Sequence, residues 1–357
     1  LNSRNDIVYE VNSQTPFTGN EVQYYETGEI LFQAYYKDGQ KEGEEISYYF
    51  SGQWEFKRNY KKGELHGPYE DYYDNGQLIT KGTYKNGVQD GPIECFYANG
   101  QLNYTFTYKK GELHGLYEEY YDNGQLKSKN TYKNGVRDGP IEYFYANGKL
   151  ETKVTYKKDV QDGPYENYEE TGQLRSKGTV KNGVLDGPQE YYDNGQLKSK
   201  HTYKNGVKDG PQESYHENGQ LKSKHTYKKD VPDGPYEIYK ETGQLWSKGT
   251  RKNGVWEEPH EQYYENGQLK SIVAYVNGKR NGPYESYHEN GQLKSEHTYK
   301  NGVLDGPYKS YHENGQLKEK ASYGNGLRKN TYQIFDANGK LEKGVNYEWN
   351  YFPLHHY

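Results

Sequence analysis

Glu70, Glu118, Glu166, Glu237 and Glu285 recur at one position along a 357-residue chain, and carboxylates in pairs are what general acid–base catalysis uses. Seven histidines crowd the later part, His201, His216, His225, His260, His288, His297 and His312, the residue type that most often ligates transition metals. Loops such as Asp193-Asn194-Gly195 share their opening residues with calcium loops, and two columns of Tyr offer rings that could stack on sugars or proline-rich peptides. Each chemistry meets an obstacle in the pattern. The glutamates return at a fixed interval, so they belong to a lattice, and no nucleophile, base and orienting group converge once on a site. His216 and His225 do not face each other across their hairpin; the histidines read as surface or stacking positions where other copies carry Tyr. The Asp-Asn-Gly loops lack the further spaced acids and closing bidentate Glu of a calcium site. The expectation is a non-enzymatic chain with no catalytic residues, no metal and no cofactor.

The lattice is framed by one glycine: Gly28, Gly52, Gly76, Gly100, Gly124, Gly148, Gly172, Gly195, Gly219, Gly243, Gly267, Gly291, Gly315 and Gly339. Successive spacings are 24 residues except the 23 between Gly172 and Gly195. The unit G-P-Y-E-x-Y-Y-D-N-G-Q-L-K-S-K-x-T-Y-K-N-G-V-x-D is nearly unaltered from Gly67 to Asp90. Four residues before the framing glycine every copy has an aromatic, from Tyr24 and Tyr72 to Tyr191 and Phe335. Two after it stands Leu, or Ile30 and Trp54 in the first two copies, and eight after it Tyr, with Val180 and Arg251 as exceptions. Leu197-Lys198-Ser199-Lys200-His201-Thr202-Tyr203 alternates with period two, which predicts a strand with one buried and one wet face.

Turn chemistry sets the register. A two-residue type I′ turn needs positive φ at both central residues, yet Thr27, Thr171 and Thr242 stand where Asn usually precedes the framing glycine, and a β-branched residue resists that conformation. A three-residue loop, a type I turn closed by a left-handed Gly, then pairs Tyr72 with Leu78 and Tyr215 with Leu221. The second turn, Lys-Asn-Gly in most copies, is expected to behave likewise, with only its last position left-handed, because Lys61-Lys62-Gly63 and Lys157-Lys158-Asp159 also occur there. Pro68 and Pro235 open first strands, where a missing donor suits an edge or entry. One hairpin buries too little to fold alone, so the copies must stack. The expected fold is all-β: an elongated, twisted antiparallel sheet of about fourteen tandem hairpins, on the order of 130 Å long at ~4.8 Å per strand.

Composition agrees once its averages are unpacked. Only 31% of residues are hydrophobic, but 44 Tyr carry large rings that hydropathy scales count as nearly polar. The formal net charge of -5, with 46 Lys+Arg and 51 Asp+Glu interspersed, disfavours nucleic acid or an anionic membrane as partner. Cys95 is the single cysteine, so no internal disulfide framework exists. No apolar run approaches the ~20 residues a membrane helix needs. The chain starts at Leu1 and has no Met, read as a removed signal peptide with a trimmed chain as the alternative; this places the protein outside the cell or in the envelope, with the cytoplasm as the other option.

The hairpin length, the G-x-Y-x-x-Y-Y-x-N-G-x-L stretch and the x-x-Y-x-N-G that follows resemble MORN repeats, specifically the bacterial variant found in proteins described as antitoxins of toxin-antitoxin systems. The resemblance covers about 330 of the 357 residues. It implies a scaffold. Choline- or glucan-binding wall repeats, also aromatic hairpins, need recurrent Trp, whereas Trp54, Trp246, Trp256 and Trp349 are scattered. Residues 1–16 are expected to form an N-terminal cap, 17–346 the fourteen repeats, and 347–357 an aromatic C-terminal cap or tail. The column four before the framing glycine reads as core. The second aromatic, Tyr73, Tyr97, Tyr121, Tyr145, Tyr192 and Tyr264, is replaced elsewhere by Glu169, His216, Lys240, His288 and His312, so it reads as exposed. Tyr73, Tyr97, Tyr121 and Tyr145, with Trp349, Tyr351 and Phe352 of the tail, are therefore the expected binding residues. The functional expectation is a surface for protein or peptide partners; a glycan or cell-wall module and an intracellular antitoxin are the alternatives.

Overall fold

The computed structural model describes residues 1–345, apart from the Asn330 side chain, and all regular elements among them are β-strands. A typical repeat runs up Glu64–Tyr72, around a loop and down Leu78–Lys85. In that loop the Tyr73 amide donates to the Gln77 carbonyl and the Gly76 amide to the Tyr73 carbonyl. All fourteen framing glycines are left-handed, with φ between 80° and 100°, while Thr27, Thr171 and Thr242 are not. The three-residue loop and the Tyr72–Leu78 and Tyr215–Leu221 pairs are as the sequence predicts.

The second turn corrects the sequence reading. Lys85 pairs with Val88, and both residues between them are left-handed, Asn86 at φ 52° and Gly87 at 79°. This is a two-residue turn whose twist matches the strands it joins. Lys62, Lys110, Lys158 and Lys229 take its first position at φ 50–53°, a conformation that costs an L-residue about 1–2 kcal/mol. Stacking offsets that cost: the Gly87 amide donates to the Leu65 carbonyl one turn back, and Gly111 to Gln89 likewise. The Asp that ends a repeat caps a later turn, as Asp233 does for the Asn253 amide and Asp186 for that of Asn205.

Bulges decide which side chains share a face. Asp71 pairs with Thr80 and Tyr72 with Leu78, so Ile79 is extra and the alternation inverts. Leu78 and Tyr72 consequently lie opposite Thr80, Gly82 and Tyr84. The single alternating face expected from Leu197 through Tyr203 is therefore split: Leu197 pairs with Tyr192 and Ser199 with Tyr191. The aromatic column before the framing glycine is half-buried, not core, and Tyr24 is 60% exposed. The buried rows lie on the other face, seven before and six after the framing glycine, where Ile93 pairs with Phe106 and Ile141 with Val154. Each fully buried Ile contributes about 2–3 kcal/mol. Where the later row is Gly, a Tyr ring lies across it: an added Cβ on Gly82 would sit 2.7 Å from Cε1 of Tyr69, and one on Gly249 2.9 Å from Cε1 of Tyr236. A second bulge holds the G-P step. Arg58 pairs with Tyr69 and Tyr60 with Leu65, so Gly67 and Pro68 fall in the gap, and the missing donor of Pro68 breaks no ladder bond there.

The chain divides into two units, Leu1–Val184 and Leu185–Tyr357. In the first, strands from Gly19–Tyr24 to Leu174–Lys181 follow chain order as antiparallel neighbours. A separate hairpin, Asn2–Arg4 with Ile7–Tyr9, lies against the first repeat, where the Val8 amide donates to the Gly39 carbonyl. In the second, the same meander runs from Gly187–Asp193 to Leu341–Val345.

Candidate interaction surface

In many repeats the residue just before the first loop ties the repeat to the next. Tyr97, Tyr121 and Tyr145 are half-buried, and each hydroxyl donates to a carbonyl 23 residues on, at Tyr120 (2.7 Å), Phe144 (2.8 Å) and Tyr168 (2.8 Å). Tyr25, Tyr49 and Tyr264 do the same, and the ring Nε2 atoms of His216, His288 and His312 reach the equivalent carbonyls at 3.0–3.1 Å. Tyr and His alternate here because both carry a ring with a donor at its far end. Loop asparagines add a second tie, Asn123 Nδ2 donating to the Ala146 carbonyl and Asn290 Nδ2 to that of Glu313.

Charge at this position thus does not by itself mean exposure: Glu169 is 53% exposed, but Lys240, the histidines and Tyr73, Tyr97, Tyr121 and Tyr145 are half-buried, which corrects the expectation that the column is exposed. Lys240 turns its ammonium to Glu265 (3.1 Å) while its side chain stays 28% exposed. Tyr73 is half-buried too, but its hydroxyl meets no described partner. Trp349, Tyr351 and Phe352 lie outside the described residues. The signal for the tie lies in the sequence as the Tyr-to-His exchange, which by itself does not distinguish a shared donor from tolerance of polar residues.

Opposite the buried rows lies a face of rings and charges. The hydroxyls of Tyr120, Tyr168, Tyr239 and Tyr215 donate to Glu118, Glu166, Glu237 and Glu213, each two residues earlier, at 2.8–3.0 Å. The same carboxylate row meets ammonium groups: Lys81–Glu94 at 2.8 Å, Lys153–Glu142 at 3.1 Å, Lys200–Glu190 at 3.3 Å, Lys224–Glu213 at 3.2 Å and Lys248–Glu261 at 3.1 Å. Burial and then the adjacent Glu213 push the Tyr215 hydroxyl up to about 12; for Tyr287 the Glu285 hydrogen bond comes first, with the same result. The phenols therefore stay protonated donors. The glutamates that resembled paired acids, Glu70, Glu118, Glu166, Glu237 and Glu285, each accept from a tyrosine two residues on, and Glu118 also meets Lys129.

The remaining histidines belong to the buried rows of the second unit. His225 stacks on Tyr236 at 5.8 Å, Trp256 on His260 at 5.3 Å, and Tyr284 on His297 at 4.4 Å. Desolvation lowers the pKa of His201, His225, His260 and His297 alike. Among the described residues no group of three His, Cys, Asp or Glu is placed to hold a metal ion, and no helix is long and apolar enough to cross a membrane.

No curated protein sequence matches the chain. Similar solved structures include "Crystal Structure of TcdB2-TccC3-TEV" (12% identity, TM-score 0.18, covering 92% of this chain and 20% of that one). Another is "Structure of Photorhabdus luminescens Tc holotoxin pore, Mutation TccC3-D651A" (12% identity, TM-score 0.18, 95% of this chain and 21% of that one). The chain thus spans about a fifth of their length. The sequence pattern of the MORN repeat variant matches residues 17–38, 65–86, 89–110, 113–134, 137–158, 161–182, 185–205, 208–229, 232–253, 259–277, 280–301 and 304–325. Most of these segments begin and end at or beside the turns described above, and together they span most of the chain, which belongs to the MORN repeat variant family.

Proposed function

We propose that this all-β repeat scaffold is non-enzymatic and presents its ring-and-charge face to a protein partner. The observation that carries the reading is the recurrence, copy after copy, of a ring edge, a carboxylate and an ammonium group at the same place, with lysines 40–50% exposed in the pairs Lys129–Glu118, Lys153–Glu142 and Lys200–Glu190. Such a strip is nearly neutral, so it offers orientation and register to a partner rather than bulk attraction. Many shallow, equivalent contacts gain strength through effective concentration without a deep pocket. The buried face, by contrast, spends its side chains on one another.

The test is charge reversal on the strip. Lys129→Glu, Lys153→Glu, Lys200→Glu and Lys248→Glu together should leave the thermal melt within a few degrees of the wild type, since exposed pairs are each worth at most about 1 kcal/mol. Capture of a defined partner by the full chain, identified by cross-linking, should then be lost. Unchanged capture refutes the face, and capture of glycans in place of proteins on an array transfers the strip to carbohydrate recognition.

A further inference from the structure

One repeat breaks the lattice, and the break leaves a vacant seat. Between Gly172 and Gly195 the repeat is one residue short. The structure places the loss at the first loop: Asp193 pairs with Gln196 across a two-residue turn, Asn194 at φ 51° and Gly195 at 80°. Tyr192, which sequence counting assigns to the tying position, instead pairs with Leu197 and donates to Glu190, as Tyr120 pairs with Leu126 and donates to Glu118. Tyr191 correspondingly leaves the half-buried column and pairs with Ser199. The Tyr192 hydroxyl is thus turned to its own strand.

The carbonyl 23 residues on is that of Tyr215, and no described side chain donates to it, whereas the matching carbonyls of Tyr120, Phe144, Tyr239 and Tyr287 each receive a Tyr or His ring. Where that ring would lie there is a groove of about 420 Å³, lined by Leu197, Lys198, Tyr215 and His216. Such a volume is within the range of small-ligand sites. Its rim carries an exposed ion pair, Lys198 Nζ to Asp193 Oδ2 at 3.2 Å.

We propose that this groove is a docking slot for a tyrosine side chain supplied by a protein partner, whose phenol takes the place of the missing tie. The repeats themselves identify the occupant: the seat after it is filled by the His216 ring, and three earlier ones by Tyr97, Tyr121 and Tyr145, each a planar ring with a donor at its far end. An apolar ring fills the space but leaves the Tyr215 carbonyl without its donor, so the slot discriminates for the hydroxyl. The proposal rests on the scaffold reading only in its source of the tyrosine, and the slot is tested without any partner.

The probe is N-acetyl-tyrosinamide, titrated into the full chain and followed by amide shifts in nuclear magnetic resonance. Saturable shifts are expected at Leu197, Lys198, Tyr215 and His216, with N-acetyl-phenylalaninamide roughly fivefold weaker, the worth of one neutral hydrogen bond. Inserting one Tyr between Tyr192 and Asp193 restores the 24-residue spacing; that variant should melt no lower than the wild type and lose the shifts. Equal response to the two amides, or shifts that survive the insertion, overturns the slot. Either result leaves the charge-reversal test of the scaffold reading standing on its own.

Discussion

The buried rows of the first unit set Tyr69 against Gly82, Ile93 against Phe106, Ile141 against Val154 and Tyr165 against Gly178. Those of the second set Gln212 against His225, His260 against Val273 and Tyr284 against His297, keeping one Tyr–Gly pair at Tyr236 and Gly249. Across both units each pair keeps at least one large side chain in the row while its polarity changes, as a packed interior needs bulk more than one residue type. Polarity is tolerated where it is answered. His201 Nδ1 lies 2.7 Å from Gln212 Oε1, Gln212 Nε2 donates to the Thr202 carbonyl, and His260 Nε2 meets Ser247 Oγ at 2.8 Å. Among the described residues His297 departs from this, both ring nitrogens being buried without a hydrogen-bond partner between Tyr284 and Tyr308.

The comparison breaks first if either unit does not depend on its buried rows. Tyr236→Ala should cost about 4 kcal/mol and Ile141→Ala about 3 kcal/mol by urea denaturation, the usual range for truncation in a packed interior. A cost under about 1 kcal/mol for both would move the core to the opposite face.

Acid should separate the units. Burial lowers the pKa of His201, His225, His260 and His297, with Lys208 facing His201, Arg251 facing His225, and Arg280 facing both His260 and His297. The unfolded chain titrates these groups at about 6.5 and so binds more protons below that pH than the folded one. Their contribution is complete above about 6.5 and declines as pH falls towards the depressed folded values. Hydrogen-exchange protection resolved by segment, corrected for the intrinsic rate at each pH, should therefore fall in the second unit between pH 7.5 and 5.5, while the first, with no His at the paired positions, holds its protection. Replacement of His297 by Phe should flatten that dependence; an equal acid response in both units would contradict it.

A smaller effect sharpens the role of the ties. Tyr97→Phe removes a hydroxyl with a partner and should cost about 1 kcal/mol, whereas Tyr73→Phe removes one without and should be nearly neutral. Equal losses in paired melts would mean that the hydroxyl bond is not what joins the repeats. Smallest is Lys248→Ala: its pair with Glu261 is 43% and 24% exposed, so about 0.5 kcal/mol is expected, vanishing in 1 M salt.

What residue types and spacing determined by themselves was local. The framing glycines, the threonines before them and the Tyr72–Leu78 pairing follow from backbone sterics that act within a few residues, so the loop type and its register were legible in the chain. The second turn was legible only in part: Lys62 in a left-handed turn is locally unfavourable, and what holds it is an amide bond from Gly63 to Lys41 in the stack. The faces were decided by tertiary structure alone, because one extra residue such as Ile79 exchanges every side chain beyond it between the two sides of the sheet. The same holds for Tyr97 and His216: a ring half-buried by its neighbour repeat and one left in solvent have the same sequence, and only the carbonyl 23 residues away distinguishes them.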